Sequence, residues 1–316
     1  MLSLADDWIW DSWVVDDGTT FHLYFLRAPR ALGDPSRRHL HAQIGHATST
    51  DLWEWTDHGV VLGPTSGSWD DLALWSGSVA RGDDGVWRMY YTAINTRGHE
   101  LKDQQIGLAE STDLYDWTKV GNTPAVTVDP RFYRTLDGDP AASETWRDPF
   151  VYRDPDGEWR MLITARSAGG RRNDDGVLAA ARSSNMRRWE VLAPVTTAGT
   201  GFGQIEVAQI RTIGNQLVLV FTCHPDEQIE GRRRQWGHYC TWSVLGPSST
   251  GLWDIAAAQP FVAEPKLFAA PLVQGRHGQW VLLGFRNQEP EGIDSFDLVD
   301  PIPVQVRDGA LAARPV

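Results

Sequence analysis

The sequence has 316 residues, of which 41% are hydrophobic and 22% are charged, with a net charge of −12. This is the composition of an ordinary globular protein, and the length allows two average domains or one large β domain. The acidic balance argues against nucleic-acid binding, which depends on neutralisation of phosphates. The two cysteines form no disulfide framework. Without a basic-plus-apolar leader or a run of about 18 apolar residues, the sequence predicts a cytoplasmic protein with no membrane partner.

A glycine-containing turn followed by an apolar strand occurs five times along the chain. The copies are GTTFHLYFLRA from Gly18, GVWRMYYTA from Gly85, GEWRMLITA from Gly157, GNQLVLVFTC from Gly214 and GQWVLLGF from Gly278. Aliphatic, aromatic and β-branched residues after such a turn are typical of strands. The copies are 67, 72, 57 and 64 residues apart, so the repeat extends over nearly the whole chain.

A second pattern alternates with the first and consists of a short strand, a Ser/Thr-containing turn and a tryptophan that opens another strand. It reads IGHATSTDLWEWTDHG from Ile44, IGLAESTDLYDWTKVG from Ile106 and LAAARSSNMRRWEVLA from Leu178, with a degenerate copy from Tyr239. The tryptophans concerned are Trp55, Trp117, Trp189 and Trp253. Self-similarity at such a fixed period is typical of repeat architectures.

Five units of several short strands each predict an all-β fold, a five-bladed β-propeller, with residues 1–316 as one domain. A pair of β-sandwiches is the rival fold, but the regular spacing over the whole chain disfavours it. In a propeller the innermost strand of every blade lines a central channel. Residues from distant parts of the sequence therefore meet at the mouth of that channel.

Three acids stand in apolar segments that directly precede the repeated glycine turns, where the innermost strands are expected. They are Asp11 in WIWDSW, Asp148 in TWRDPFVY and Glu206 in GQIEVAQI. The second unit carries Trp75 and Ser76 in LWSGSV at this place, and the fifth has LFAAPLV without an acid. Three acids in equivalent segments predict a cluster of carboxyl groups at the channel mouth.

Each acid taken alone also has a structural interpretation. Asp11 could cap a turn, Asp148 could start one before Pro149 with Arg147 as its ion-pair partner, and Glu206 could be a solvated strand residue. Their coincidence in three units favours a functional site instead.

Acids beside tryptophan rings suit a carbohydrate. Trp10 and Trp75 would offer apolar faces to sugar C–H groups, and glycoside hydrolysis needs two carboxyl groups. The predicted partner is therefore a small carbohydrate, and the sequence gives no indication of the oligomeric state.

The segments IWDSW, LWSGSV, WRDPFVY and IEVAQ, in this order, resemble the active-site segments of glycoside hydrolase family 68. This family comprises the levansucrases and related β-fructofuranosidases, and its sister is family 32, the invertases and fructanases. Both are five-bladed propellers. The resemblance implies Asp11 as nucleophile, Glu206 as general acid/base and Asp148 as a stabiliser that binds fructosyl hydroxyls. It also places Trp10, Trp75, Ser76 and Arg147 around the fructosyl unit and implies no metal or organic cofactor.

The chain departs from the family pattern on the side of the leaving group. Gln204 stands two residues before the acid/base, where an acid is usual, and is assigned to substrate binding. Val207 replaces the arginine that usually follows the acid/base, and His224 takes the place of a basic residue after the next strand. The chain is also shorter than typical members. These differences concern recognition of the leaving group and the acceptor more than fructosyl chemistry.

The resulting hypothesis is a retaining, mainly hydrolytic enzyme that cleaves β-fructofuranosidic bonds in sucrose or fructooligosaccharides. An inverting propeller hydrolase of the arabinofuranosidase type is the first alternative, because such enzymes also carry three acids. A non-catalytic sugar-binding propeller is the second. For the main hypothesis, Glu206 must be protonated near neutral pH, and the charges of Asp11 and Asp148 are expected to raise its pKa.

Overall fold

The computed structural model describes residues 2–96, 103–135, 145–171, 173–237, 239–287 and 296–314. These residues form five four-stranded antiparallel sheets and one two-stranded sheet that belongs to the fifth unit, and the predicted five-bladed β-propeller is confirmed. No helix within the described ranges has the length and apolar character needed to cross a membrane.

Each blade has its first strand at one edge and its last at the other. Blade 1 contains β1 (Asp7–Asp16), β2 (Phe21–Pro29), β3 (Gln43–Ser49) and β4 (Thr56–Leu62). Blade 2 contains β5 (Ala73–Arg81), β6 (Trp87–Ile94), β7 (Gln104–Ser111) and β8 (Thr118–Lys119). Blade 3 contains β9 (Trp146–Arg153), β10 (Trp159–Arg166), β11 (Gly176–Ser183) and β12 (Glu190–Leu192). Blade 4 contains β13 (Glu206–Ile213), β14 (Gln216–Thr222), β15 (Thr241–Gly246) and β16 (Gln259–Pro260).

Blade 5 is less regular, because its first two strands are interrupted. The two-stranded part pairs β17 (Leu267–Phe268) with β20 (Phe285–Arg286). The four-stranded part contains β18 (Leu272–Gln274), β19 (Trp280–Leu282), β21 (Ile302–Arg307) and β22 (Ala310–Ala313). The helical segments are α1 (Glu230–Trp236) and the 3-10 turns Arg30–Leu32, Pro35–Leu40, Pro225–Glu227 and Ile255–Ala257.

The first repeat of the sequence is the hairpin between the first and second strands of each blade. All five repeated glycines lie in these turns, and every one has a positive φ, between 62° and 101°. Only glycine adopts this region without a steric cost, which explains why a glycine marks the turn each time. The segments before the glycines are therefore first strands, as the sequence predicted.

The second repeat is a turn that is hydrogen-bonded in the same way in blades 1, 2 and 3. In blade 1, Ser49 Oγ accepts the backbone N–H groups of Asp51 and Leu52, and Asp51 Oδ1 accepts those of Trp53 and Glu54. The equivalent bonds recur around Ser111 and Asp113 in blade 2 and around Ser183 and Asn185 in blade 3. These side chains satisfy the turn's backbone donors, so the motif specifies the connection between third and fourth strands.

The blades hold together through apolar contacts between neighbouring sheets. The largest hydrophobic cluster combines buried side chains of blades 1, 2 and 5, and four further clusters each join two adjacent blades. The first strands also contact each other, since β5 touches β1 and β9, and β9 touches β13. This arrangement places the first strands around the central channel.

Blade 1 buries a pair of histidines on its second and third strands. His22 Nδ1 and His46 Nε2 lie 3.0 Å apart, and the His46 ring stacks on His22 and Tyr24. Burial lowers the pKa of His46 to about 3, with the charges of His22 and His58 acting in the same direction. Burial also lowers the pKa of His22, against its hydrogen bond with Asp17. Both histidines are therefore neutral in the folded protein at neutral pH.

We expect this pair to make the protein less stable as the pH falls. A folded pKa below the unfolded value of 6.5 means that the stabilisation is complete above pH 6.5 and is lost as the pH falls toward 3. The loss amounts to about 1.4 kcal/mol per pH unit for each such histidine. When the free energy of unfolding is measured with urea between pH 7 and pH 5, it should change less with pH for His46→Gln than for the wild type. The control is His277→Gln, because His277 is exposed. If His46→Gln kept the pH dependence of the wild-type protein, the role of His46 in this loss of stability would be contradicted.

Candidate active site

The first strands carry a β-bulge at the same level in four blades. In β1 the pairing passes from Trp10–Leu26 to Ser12–Phe25, so Asp11 is the extra residue. In β5 it passes from Trp75–Thr92 to Gly77–Tyr91, so Ser76 is the extra residue. β9 and β13 shift in the same way after their pairs Arg147–Thr164 and Glu206–Thr222. A bulge re-aims side chains locally, and here it occurs at the channel mouth.

Each first strand has two neighbouring positions at the mouth. One is the last paired residue before the bulge, or in blade 5 before the interruption of the strand, and the other directly follows it. From blade 1 to blade 5 these pairs of residues are Trp10–Asp11, Trp75–Ser76, Arg147–Asp148, Glu206–Val207 and Phe268–Ala269. Asp11 and Asp148 are thus equivalent to each other and to Ser76. Glu206 is equivalent to Trp10 and Arg147, one residue before the position that Asp11 and Asp148 share. The two positions let carboxyl groups approach the site from different directions.

The second position has an unusual backbone conformation. The φ angles are 21° at Asp11, 54° at Asp148, 48° at Val207 and 44° at Ala269. Residues other than glycine seldom adopt positive φ, and such strain is concentrated at functional sites. The same local strain in four blades therefore marks this level of the channel as a site.

One cavity of about 680 Å³ opens at this level and is called the mouth cavity here. It is lined by residues of all five blades, namely Trp10, Asp11, Leu26, Arg38, His39, Trp75, Ser76, Gln104, Arg147, Asp148, Gln204, Glu206, Val207, Glu227, Phe268, Phe285 and Asn287. Eight of the nine residues proposed from the sequence are in this list. The structure therefore brings the three acids, both tryptophans and the arginine together around one space.

Two hydroxyl groups hold the aspartates. Ser76 Oγ donates a hydrogen bond of 2.6 Å to Asp11 Oδ2 across blades 1 and 2. Thr164 Oγ1 donates one of 2.9 Å to Asp148 Oδ2, which also accepts the backbone N–H of Val207 at 3.2 Å. Asp148 is 6% exposed, and these donors satisfy its buried carboxylate. The position of Asp148 is thereby fixed from its own blade and from blade 4.

Arg147 connects the acids of blades 3 and 4. Its Nη2 donates to Glu206 and, at 2.5 Å, to Gln204 Oε1, while its Nη1 donates to Gln104 Oε1 at 3.2 Å. Its Nε lies 3.4 Å from Asp148 Oδ2. Burial opposes the charge of Arg147, but Glu206 and Asp148 outweigh it and raise its pKa. The guanidinium is therefore a fixed cation between two carboxyl groups.

Burial raises the pKa of all three acids. For Asp11, burial raises the pKa to about 7. The hydrogen bond from Ser76 and the charge of Arg38 act against this rise, and the charges of Asp148 and Glu206 add to it. For Asp148, burial is opposed by Arg147 and Thr164. For Glu206, burial is opposed by Arg147, and the charge of Asp148 adds to the rise. The pKa of Glu206 is thus raised, as the sequence analysis expected. The largest cause of the rise is burial rather than the charges of neighbouring acids.

His224 is the one residue of the sequence-derived set that the structure does not bring to the cavity wall. It precedes the 3-10 turn Pro225–Glu227, and its Nδ1 accepts the backbone N–H of Asp226 at 3.2 Å. The turn carries the chain back toward the channel, and Glu227 lines the cavity instead. Glu227 Oε2 accepts a hydrogen bond of 3.1 Å from Arg166 Nη2.

Several lining residues were not found from the sequence. Arg38 and His39 belong to the 3-10 helix Pro35–Leu40, in the connection between β2 and β3, which lies outside the repeated sequence segments. Phe268 could have been found, because it stands in LFAAPLV at the place of the other first-strand residues. Within the described residues there is no cluster of three His, Cys, Asp or Glu side chains suited to a metal ion.

The family model described as the glycosyl hydrolases family 32 N-terminal domain matches residues 12–261. The chain is similar to a fructan 6-exohydrolase from Beta vulgaris, with 26% identity over 175 residues that cover 54% of this chain and 26% of that protein. It is also similar to a raffinose invertase from Escherichia coli, with 32% identity over 151 residues that cover 46% and 28%.

An inulosucrase from Halalkalicoccus jeotgali, solved with kestose bound, shares the fold. Its TM-score is 0.78 at 17% identity, and the match covers 98% of this chain and 89% of that one. The match spans about a quarter of the length of each of the two curated relatives, the fructan 6-exohydrolase and the raffinose invertase.

Proposed function

The chain belongs to glycosyl hydrolase family 32, and from this premise we propose that it is a retaining β-fructofuranosidase whose five blades act as one catalytic domain. The proposed substrates are sucrose or fructooligosaccharides. The observation that carries the proposal is the meeting of Asp11, Asp148, Glu206 and Arg147 at one level of the mouth cavity. The names of the relatives, a fructan exohydrolase and an invertase, support the same substrate class.

The family model refines the resemblance found in the sequence. The four segments pointed to family 68, whereas the model that matches is that of its sister, family 32. Placement among the fructosidases of these two families stands, and membership in family 68 itself is not confirmed. The segments with Asp11 and Asp148 therefore identify fructosyl chemistry rather than one of the two families.

In the first step, the protonated Glu206 gives its proton to the glycosidic oxygen while the carboxylate of Asp11 attacks the anomeric carbon. The bond to the leaving group breaks, and the fructosyl unit becomes an ester of Asp11. Arg147 contacts Glu206, so it stabilises the carboxylate that Glu206 becomes after it has delivered the proton.

In the second step, the Glu206 carboxylate takes a proton from water, and the resulting hydroxide attacks the same carbon. Fructose leaves, Asp11 is restored as a carboxylate, and Glu206 is again protonated. Asp148 acts in both steps by accepting hydrogen bonds from fructosyl hydroxyls. Trp10 and Trp75 supply the apolar walls of the sugar site.

The test is incubation with sucrose, with inulin-type and levan-type oligosaccharides and with difructose dianhydrides, followed by product analysis. NMR of the first-formed anomer separates retention from the inversion expected of an arabinofuranosidase-type enzyme. Retention also requires the carboxyl groups of Asp11 and Glu206 to be about 5–5.5 Å apart, whereas inversion requires about 6.5–9.5 Å. Sugar binding without turnover of any substrate would support the non-catalytic alternative.

We expect free fructose or short oligosaccharides as products from sucrose, and no long polymer. Gln204 replaces a carboxylate at the cavity wall, and it already accepts a hydrogen bond from Arg147. The acceptor side therefore holds a second sugar poorly, so water resolves the fructosyl-enzyme more often. Size-exclusion chromatography of the products checks this expectation, and high-molecular-weight fructan would refute it.

A further inference from the structure

The 3-10 helix Pro35–Leu40 is anchored to the mouth of the channel. The indole Nε1 of Trp75 donates a hydrogen bond of 2.8 Å to the backbone oxygen of His39. The ring of His39 meets Trp10 and Trp75 edge-on, with centroids 6.1 and 5.9 Å apart. The helix is thus held by both tryptophans, next to Asp11.

Arg38 on this helix is held by aromatic rings rather than by a carboxylate. Its guanidinium carbon lies 4.3 Å from the ring centroid of Phe296 and 5.4 Å from that of Trp10. Its Nη1 donates a hydrogen bond of 2.9 Å to the backbone oxygen of Pro35. Arg38 makes no ion pair within the described residues, yet it lines the cavity together with Asp11. Stacking fixes the plane of a guanidinium and leaves its charge uncompensated by a direct partner.

We propose that Arg38 is a positioning residue that holds the Asp11 carboxylate in its ionised, attacking form. This inference rests on the proposed function, because it takes Asp11 as the nucleophile. The charged and titratable groups that line the cavity with Asp11 are Arg38 and His39 on the 3-10 helix Pro35–Leu40, Arg147 and Asp148 on β9, Glu206 on β13 and Glu227 after β14.

The other charged groups that line the cavity do not replace Arg38 in favouring the ionised form of Asp11. Arg147 is engaged with Glu206 and Asp148, and those two acids both raise the pKa of Asp11. Burial lowers the pKa of His39 to about 3, so His39 is neutral at neutral pH. Burial lowers the pKa of Arg38 only to about 10, and the charge of Asp11 opposes that change. Arg38 is therefore a permanent cation near a carboxyl group that neutral pH would otherwise leave largely protonated.

The activity test uses fructosyl fluoride, whose leaving group needs no proton. The acidic limb of kcat/KM against pH then reports the ionisation of the nucleophile in the free enzyme. We expect Arg38→Gln to move this limb upward by about one pH unit, the lower end of the shift produced by a nearby opposite charge. Arg38→Lys should restore most of the wild-type profile. Arg37→Gln is the matched control, because Arg37 is an exposed neighbour on the same helix.

A second measurement separates this inference from the proposed function. Carboxyl ¹³C NMR follows the Asp11 titration directly, with Asp11→Asn for the assignment, and requires no turnover. A raised Asp11 pKa in Arg38→Gln supports the role of Arg38 even if no fructosyl substrate is cleaved. An Asp11 titration and an acidic limb that are both unchanged in a folded Arg38→Gln protein would overturn it. A higher KM with an unmoved limb would also overturn it, because Arg38 would then be a substrate contact.

Discussion

Asp11→Ala is expected to lose activity on sucrose and on fructosyl fluoride alike, whereas Glu206→Ala should keep a much larger fraction of its activity on the fluoride. The nucleophile is needed whatever the leaving group, because it forms the covalent bond to the sugar. The acid is needed in the first step only when the leaving oxygen must be protonated. General acid catalysis is typically worth about 10²–10⁴-fold, so the two donors should separate the variants clearly.

The structure gives each residue the surroundings that its role requires. Asp11 accepts a hydrogen bond from Ser76, which aligns its carboxylate, and Glu206 contacts Arg147, which stabilises its ionised form. Glu206→Ala also removes the base of the second step, so added azide should speed resolution of the fructosyl-enzyme. Initial rates on both donors, with and without azide, provide the measurement.

The control for this experiment is Asp16→Ala, at the far end of β1, where the carboxylate pairs with Arg276 away from the mouth cavity. It should retain wild-type rates on both donors. Equal losses on sucrose and fluoride in Glu206→Ala would show that Glu206 is not the acid. An active Asp11→Ala protein would show that WIWDSW holds a structural aspartate.

The periodic part of the structure could be predicted from the sequence, because its causes are local. The hairpin turn has a positive φ that glycine adopts most easily, and the Ser49 and Asp51 side chains satisfy the donors of their own turn. Both features therefore recur with the repeated unit. The first strands were therefore placed correctly, and with them Asp11, Asp148 and Glu206.

The register of these acids could not be read from the sequence. A bulge is defined by how two strands pair, so the segments WRDPFVY and GQIEVAQI do not by themselves show where it lies. Only the pairing shows that Glu206 is equivalent to Arg147 and stands one residue before the level of Asp148.

The non-repeating part of the site was missed for a different reason. Arg38 reaches the cavity from the connection between β2 and β3, and Glu227 reaches it because a 3-10 turn reverses the chain after β14. Both depend on where a loop folds back in space. His224 shows the same limit, since its position in the sequence suggested the cavity, but its ring caps that turn.

Asp148→Asn is expected to fold normally and to lower kcat by about 10²-fold or more, because hydrogen bonds to sugar hydroxyls that strengthen in the transition state supply several kcal/mol. The fold should survive, since the amide oxygen of asparagine can still accept the hydrogen bonds from Thr164 and Val207 that now reach Asp148 Oδ2. What the variant loses is the negative charge and one acceptor that face the fructosyl unit. The loss should therefore appear in kcat more than in KM.

The pH dependence gives this variant a second signature. The charge of Asp148 raises the pKa of both Asp11 and Glu206, so removing it should lower both values. The acidic and basic limbs of the rate profile should then move together toward lower pH, and the optimum should become more acidic. A variant that merely disturbed the turn before Pro149 would lose activity at all pH values without moving either limb. Near-normal kcat in a folded Asp148→Asn protein would return this aspartate to the structural role of starting that turn.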